Sequence, residues 1–401
     1  MIIKRPKYIE AITPFIGQPL VKILSGVRRC GKSTIFDMLK EELLSSGIDK
    51  KCIITKTYTD MDIAQNITAK QMYDELVCVT KDNVYSYLIL DEIQEISGWE
   101  KVVNSLLEKG NCDIYVTGSN SKLMSSEIST YLTGRYVQIP VYTLSFSEYL
   151  QFKSESKLTK RELLNEYIRF GGFPVVALNE YESNMAYQIV NGIYYTVVSR
   201  DIVNRHRIHK QELFDRVVRY VVENTGKTFS ANSISKFLKS ENRQLSNESI
   251  YNYLRWLEQA FIIYPCRRYD LQGKNILKTQ EKYYLADVSL KYALFGYNRN
   301  MLDAVMENIV YLELKRRGYD VYVGKLGTKE IDFVAILRDE KIYVQVCVQL
   351  PENSDRETEN LKDIPDNYPK YVVTLNDLDV GNDEGIKIVH LQDFLLTDRW
   401  I

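Results

Sequence analysis

Gly26-Val27-Arg28-Arg29-Cys30-Gly31-Lys32-Ser33 sets two glycines, a lysine and a hydroxyl at the spacing G-x-x-x-x-G-K-S. It directly follows the apolar run Leu20-Val21-Lys22-Ile23-Leu24. Glycines let a backbone curl until its N–H groups point inward at phosphate oxygens. At this spacing Lys32 reaches the β- and γ-phosphates of a nucleotide, and the Ser33 hydroxyl is offered to Mg²⁺. The loop Gly26, Val27, Arg28, Arg29, Cys30, Gly31, Lys32, Ser33 and Thr34 therefore forms the expected phosphate cradle. Chemistry at the γ-phosphate needs two more things, a metal carboxylate and a base for water. Tyr87-Leu88-Ile89-Leu90-Asp91-Glu92 supplies two consecutive acids about 60 residues downstream. Asp91 is expected to hold Mg²⁺ together with Ser33, and Glu92 to orient and deprotonate the attacking water. Solvated acids at a strand end are the plainer alternative for such a pair taken alone.

Elements of known period must carry these groups. The continuous apolar runs 20–24 and 87–90 read as parallel strands covered on both faces. Thr34–Leu44 reads as a helix whose positive end faces the anion. Ile53-Ile54-Thr55 suggests a further strand, and Thr68–Val79 has helical spacing at Met72, Leu76 and Val79. Ile114-Tyr115-Val116 gives a strand ending in Thr117-Gly118-Ser119-Asn120. A polar side chain there can sit between γ-phosphate and water. Asn120 takes that role, with Ser119 as its nearest competitor and plain turn chemistry as the alternative. Arg135, in Tyr131-Leu132-Thr133-Gly134-Arg135-Tyr136, is a candidate for a phosphate contact, its own or a neighbour's. The other reading is a solvated or ion-paired arginine.

With Ile23–Ser33, Leu88–Gln94, Thr117–Asn120, Thr133-Gly134-Arg135 and Leu144-Ser145-Phe146 in hand, the chain resembles the AAA+ ATPase superfamily. It resembles most the prokaryotic ATPases that carry an AAA domain and a C-terminal domain of unknown function. That resemblance implies ATP as nucleotide, Asp91 as the Walker B carboxylate, Glu92 as catalytic glutamate and Asn120 as sensor 1.

Residues 158–185 have helical tendency around Phe170-Gly171-Gly172-Phe173-Pro174, a tight bend that fits a small lid. Arg200 is a weaker candidate for a basic group reaching the γ-phosphate from that lid. Residues 211–270 suggest a winged helix: helices around 213–221, 229–238 and 246–257, then wing strands Ala260–Tyr264 and Lys282–Leu285. Ser246, Asn247, Ser249, Asn252 and Arg255 fall on the polar side of the third helix. Lys239, Arg243, Arg267, Arg268, Lys274 and Lys278 add charge around it. Residues 227–282 carry ten Lys/Arg against five Asp/Glu, which makes duplex DNA a candidate partner.

After residue 285 the expected order is helix, strand, strand, strand, helix, strand, which resembles the PD-(D/E)xK endonuclease fold. Glu307 and Asp332 match two of its positions. Gln345-Val346-Cys347 stands where a metal-binding Glu and a Lys belong. Gln is a poor Mg²⁺ ligand and Cys cannot replace an ammonium. The expectation is a fold kept without nuclease catalysis, available to a protein partner, with Glu307 and Asp332 as structural polar groups.

The whole reading is α/β. Residues 1–150 form a P-loop parallel-sheet AAA+ core, 151–210 a helical lid, 211–285 a winged helix and 286–401 an α/β endonuclease-like domain. Its function is Mg²⁺-dependent ATP binding and hydrolysis coupled to conformational change. An ATP-switched DNA-binding regulator with negligible turnover is the rival, and an ATP-dependent nuclease a more distant one. A length of 401 residues suits several domains, and a net charge of −1 gives no global field for membrane or nucleic acid. Six scattered cysteines without a C-x-x-C pair argue against zinc and for a reducing, cytoplasmic setting. No apolar leader and no run of ~18 apolar residues appears, so no membrane contact is expected. Oligomeric state and the action of Arg135 in cis or in trans stay open.

Overall fold

A computed structural model describes residues 3–58, 67–80, 85–119, 131–179, 181–273, 275–351 and 356–400. By contact the chain divides into two compact units, one over residues 1–142 with a short piece at 259–261, the other over 143–258 and 262–401.

The first unit is built on five parallel strands. In chain order its elements are α1 (Pro6–Ile12), β1 (Val21–Ser25), α2 (Lys32–Ser45), β2 (Ile53–Thr57), α3 (Ala69–Val79), β3 (Ser86–Asp91), α4 (Trp99–Lys109), β4 (Cys112–Gly118) and β5 (Tyr136–Pro140). The sheet order is β2-β3-β4-β1-β5. Strands β1 and β4 are buried at every residue, as helices on both faces require. Leu88, Leu90, Ile114 and Val116 pack under Met72 and Leu76 of α3 and Val103 and Leu106 of α4. Helix α3 starts where Thr68 and Gln71 satisfy each other's backbone N–H in a capping box. Because β1 lies between β4 and β5, the chain reverses its direction of winding there, the position beyond whose carboxyl ends parallel sheets take their ligands. Both the glycine loop and the Asp91-Glu92 pair leave the sheet at that end.

A buried charge pair spans the two central strands. Lys22 donates to Asp113, and both side chains are fully buried. Asp113 also accepts from the Tyr115 hydroxyl at 2.6 Å and from the Gly17 N–H at 2.7 Å. Burial pulls the Lys22 ammonium below its usual range, against the opposing pull of Asp113.

In the second unit, helices α5 (Phe146–Phe152), α6 (Lys160–Phe170), α7 (Ser183–Thr196), α8 (Gln211–Glu223), α9 (Ala231–Ser240) and α10 (Asn247–Gln259) come first. The tiny strand β6 (Thr228–Phe229) precedes α9, and the hairpin β7 (Ile263–Asp270) and β8 (Asn275–Leu285) follows α10. Then come α11 (Ser289–Phe295), α12 (Leu302–Arg316), β9 (Asp320–Leu326), β10 (Lys329–Leu337), β11 (Glu340–Val346), α13 (Arg356–Lys362), β12 (Lys370–Thr374), β13 (Gly381–Asp383), β14 (Ile386–His390) and α14 (Leu391–Leu396). The hairpin is longer and starts later than the expected Ala260–Tyr264 and Lys282–Leu285. It also does not stand alone: β7 pairs in parallel with β9, so one nine-stranded sheet, β13-β14-β12-β11-β10-β9-β7-β8-β6, runs across residue 285.

The Phe170–Pro174 bend has a physical cause. A Cβ on Gly171 would meet Asp287 Oδ1 at 1.8 Å, and one on Gly172 would meet the Leu144 carbonyl at 2.5 Å. The Gly172 N–H donates to Asp287 at 2.8 Å, and the Ser289 hydroxyl donates to the same carboxylate at 2.5 Å. Both glycines are thus demanded by a buried carboxylate and a neighbouring backbone.

Candidate nucleotide site

The loop after β1 turns on glycines for two different reasons. A Cβ on Gly26 would lie 2.0 Å from the Val141 carbonyl oxygen, so this position is fixed by close backbone approach. Gly31 has φ 102°, in the left-handed region that suits glycine, and immediately precedes α2. Arg29 also adopts positive φ, at 68°. Lys32 is buried and folds back, donating to the carbonyls of Gly26 at 2.9 Å and Val27 at 3.1 Å. Val27 and Cys30 are buried, Arg28 is half-buried, and Arg29, Ser33 and Thr34 are exposed.

The loop is braced from behind by a residue the sequence reading missed. Arg5 is 2% exposed; it donates to the Cys30 carbonyl at 2.9 Å and the Tyr142 carbonyl at 3.0 Å. Its guanidinium lies 4.5 Å from the centroid of the Tyr8 ring. The only cue in the sequence was a lone arginine before a helix-starting proline, which has no periodic or motif signature.

The carboxylates diverge at the end of β3. Ser33 donates its hydroxyl to Asp91 Oδ2 at 2.8 Å, and Thr117 donates to Asp91 Oδ1. Glu92 turns away through a left-handed backbone, φ 53°, and its N–H donates to Thr117 Oγ1 at 2.9 Å. The Glu92 side chain accepts from Ser119 Oγ at 3.2 Å and from Gln94 Nε2. Burial by itself would raise the Glu92 carboxyl, but the positive charges of Lys32 and Arg28, with the two hydrogen bonds, carry it below its usual range. Gln94 Oε1 is buried with no hydrogen-bond partner among the described residues. Thr117 and Gln94 are further site residues beyond those expected; both flank motifs, and only folding reveals which way they point.

Ser33, Asp91, Glu92, Lys32 and Ser119 are therefore brought together. Asn120 lies outside the described residues. Arg135 is not brought to the site, which corrects the expectation of a contact with its own nucleotide. Its carbonyl accepts from Val21 N–H at 3.0 Å, placing it at the amino end of the sheet. Strand β1 runs five residues from there to the loop, about 15 Å. The Arg135 side chain donates to Asn104 at 2.7 Å and pairs with Glu108 at 3.4 Å on α4.

The donor set fits a small hard cation. A hydroxyl and a carboxylate in contact give two oxygen ligands, and Mg²⁺ takes its remaining ligands from water and phosphate. No group of three or more His, Cys, Asp and Glu is gathered among the described residues.

In the second unit the expected acidic positions do meet, around a cation from the chain itself. Asp332 sits where the β9–β10 register shifts, and its N–H donates to Gln345 Oε1 at 3.2 Å. Lys282 on β8 donates to Glu307 Oε1 at 2.7 Å, and it lies 3.1 Å from Glu330 and 3.4 Å from Asp332. Tyr284 donates to Glu307 at 2.5 Å. Burial, opposed by Lys282 and reinforced by Asp332, pushes the Glu307 carboxyl up to about 7. Cys347 is buried and its thiol is raised to about 12 by burial, so it offers no cation. Along the sequence Lys282 is a basic residue at the start of an expected wing strand, and only the fold brings it to these acids.

The arginines expected around α10 are engaged. Arg243 pairs with Glu212 at 2.8 Å, Arg267 with Glu281 at 3.5 Å and Arg268 with Glu330 at 3.7 Å. Arg255 donates to Asn252 at 2.9 Å. Lys239 is exposed. Lys274 lies outside the described residues, as does the side chain of Lys278. Arg200 belongs to a π-helical turn, Val197–Asn204, of the second unit.

No helix among the described residues is long and apolar enough to cross a membrane. Residues 18–150 match the AAA domain family, and residues 161–300 match a domain of unknown function. An uncharacterized protein of Haemophilus influenzae is 37% identical over 98% of this chain and 99% of its own length. One from Methanocaldococcus jannaschii is 32% identical over 93% of this chain and 85% of its own length. Among solved structures, a Walker-type ATPase of Pyrococcus abyssi superposes with a TM-score of 0.53 at 13% identity, over 73% of this chain and 96% of that one. That likeness is one of fold, and it agrees with the strand order and loop described above. The chain belongs to the family of these full-length relatives, and its first unit carries the P-loop fold of an AAA domain.

Proposed function

We propose that this protein is a Mg²⁺-dependent ATP hydrolase whose turnover drives a conformational change against duplex DNA. The observation that carries the reading is the divergence of Asp91 and Glu92: one carboxylate on Ser33, the other held separately by Ser119 and Gln94. A metal carboxylate and a base for water need that separation.

Lys32 exchanges its loop carbonyls for β- and γ-phosphate oxygens when ATP enters, and the first N–H groups of α2 face the same oxygens. Mg²⁺ held by Ser33 and Asp91 supplies charge neutralisation on the phosphates. Glu92 accepts a proton from water attacking the γ-phosphorus, the bond to the β–γ bridging oxygen breaks, and ADP and phosphate result. Asn120 is kept in this reading as a water-positioning group. Arg135 has only a neighbouring copy's nucleotide left to act on.

For the rest of the chain the reading is a lid over 151–210, a winged helix over 211–285 and an endonuclease-like fold over 286–401. The last part does not cut in this reading, because Lys282 fills the space between Glu307 and Asp332 and Gln345 and Cys347 replace the Glu and Lys. A reducing, cytoplasmic setting accompanies it.

The test is steady-state Mg²⁺-ATP hydrolysis with and without duplex DNA, wild type against Glu92→Gln. Turnover that needs Glu92 and rises with DNA supports the reading. Tight ATP binding without turnover in either protein overturns hydrolysis and leaves a nucleotide-held switch. Turnover indifferent to DNA overturns the coupling.

A further inference from the structure

Helices α9 and α10 are joined through a short turn whose angle is fixed by polar contacts. Ser246 accepts from the Ser249 N–H at 3.1 Å, and Asn247 Nδ2 donates to Asn232 Oδ1 at 2.6 Å. Between them lies an open groove of ≈ 770 Å³. Lys210, Lys236 and Lys239 line it together with Ser235, Gln244 and Asn247, and its lining includes no Asp or Glu and no aromatic residue.

The charge in this groove is uncompensated. All three lysines are exposed, and none has an ion pair among the described residues. Elsewhere in the same helical region three arginines are consumed. Arg216 pairs with Glu212 and Glu241, Arg219 with Asp215 and Arg243 with Glu212. Glu248 stands on the first turn of α10 but not in the groove. Three hydrated ammonium groups beside a helix N-terminus, with hydroxyls and amides between them, suit phosphate oxygens rather than a carboxylate fork.

We infer that this groove is the docking site for the sugar–phosphate backbone of duplex DNA, with α10 set in the major groove. The inference rests on the DNA reading above and changes its chemistry: the lysines of α9 and of the segment before α8 carry the contact, not Arg243, Arg267 or Arg268. Lys236 and Lys239 stand one turn apart on one helix face, about 5–6 Å at Cβ, a spacing that serves neighbouring phosphates of one strand. The exposed Tyr251 and Arg255 of α10 then face base edges. Single strands are held by rows of aromatic platforms for successive bases; the groove lining has no aromatic residue, and α10 offers a single well-exposed one, Tyr251. The major groove of A-form RNA is too narrow to admit a helix.

The experiment is fluorescence anisotropy of the full chain with a duplex of about 20 base pairs, across a salt series. The variants are Lys210→Glu/Lys236→Glu/Lys239→Glu, the same three changed to Gln, and Arg243→Gln/Arg267→Gln/Arg268→Gln; circular dichroism checks their folds. Loss of three phosphate contacts should weaken binding at least ~10-fold in both lysine variants and make the slope of log K against log salt shallower by about 2.7. The arginine variant should change affinity less than about threefold. If wild type binds the duplex and only the arginine variant weakens, the groove assignment falls and the DNA reading stands. If wild type binds no duplex, both fall. Equal affinity for a single strand or for duplex RNA overturns the assignment to duplex DNA.

Discussion

Arg5 donates to the Cys30 carbonyl at 2.9 Å, so a residue near the amino terminus fixes the back of the phosphate loop. A buried guanidinium aimed at two backbone carbonyls leaves both unsatisfied when it is removed. Arg5→Ala should cost about 2–4 kcal/mol of stability, lower the melting temperature, and weaken ATP binding. Arg5→Lys should recover part of the affinity, because one ammonium can still serve one carbonyl. Thermal melts and nucleotide titrations check both. Wild-type affinity in Arg5→Ala would sink the bracing role.

Gly26 and Gly192 should respond to alanine with opposite signs. At Gly26 the new Cβ meets the Val141 carbonyl at 2.0 Å and the loop must shift, whereas at Gly192, inside α7, it meets nothing within 4 Å. Gly26→Ala is expected to weaken ATP binding at least ~10-fold through a displaced cradle. Gly192→Ala should stabilise by about 0.5–1 kcal/mol through helix propensity. Calorimetry of nucleotide binding and denaturant melts separate the two.

Glu92→Gln should lower turnover at least ~10²-fold while ATP binding survives. Ser119→Ala removes one of the two hydrogen bonds that hold Glu92. A change below ~10-fold is expected there, since Gln94 still holds the carboxylate. Single-turnover hydrolysis reads the chemical step. Equal losses in the two variants would mean that Ser119 itself acts on water.

Lys282 is the cation of three carboxylates, and its removal leaves the two largely shielded ones, Glu307 and Asp332, facing each other without it. Lys282→Met should cost roughly 3–5 kcal/mol. The pH dependence follows from Glu307. Its carboxyl is raised from 4.5 to about 7, so the native state keeps a proton that the unfolded chain releases. Stability should therefore fall as pH rises through that window, and the fall should disappear in Glu307→Gln. Urea melts from pH 4 to 8 test it; a wild-type slope unchanged in Glu307→Gln would overturn the assignment.

The nucleotide loop, the two acids and the strands under them were legible in the sequence, because their chemistry is local. A strand, a glycine turn and a helix are consecutive, and apolar runs report burial on both faces. The mixed sheet was not legible, because the parallel pairing of β7 with β9 joins segments that no local period links. Tertiary structure also decided which charges are spent. Arg243, Arg267 and Arg268 look free along the chain, yet the fold brings each to a carboxylate, and it leaves Lys210, Lys236 and Lys239 without one among the described residues. Arg135 has the right type for a phosphate, but β5 carries it to the far end of the sheet from its own loop. Residue type and spacing thus determined what chemistry was available, while pairing across the fold determined which side chains remain free to perform it, since a charge is neutralised by whatever lies beside it in space.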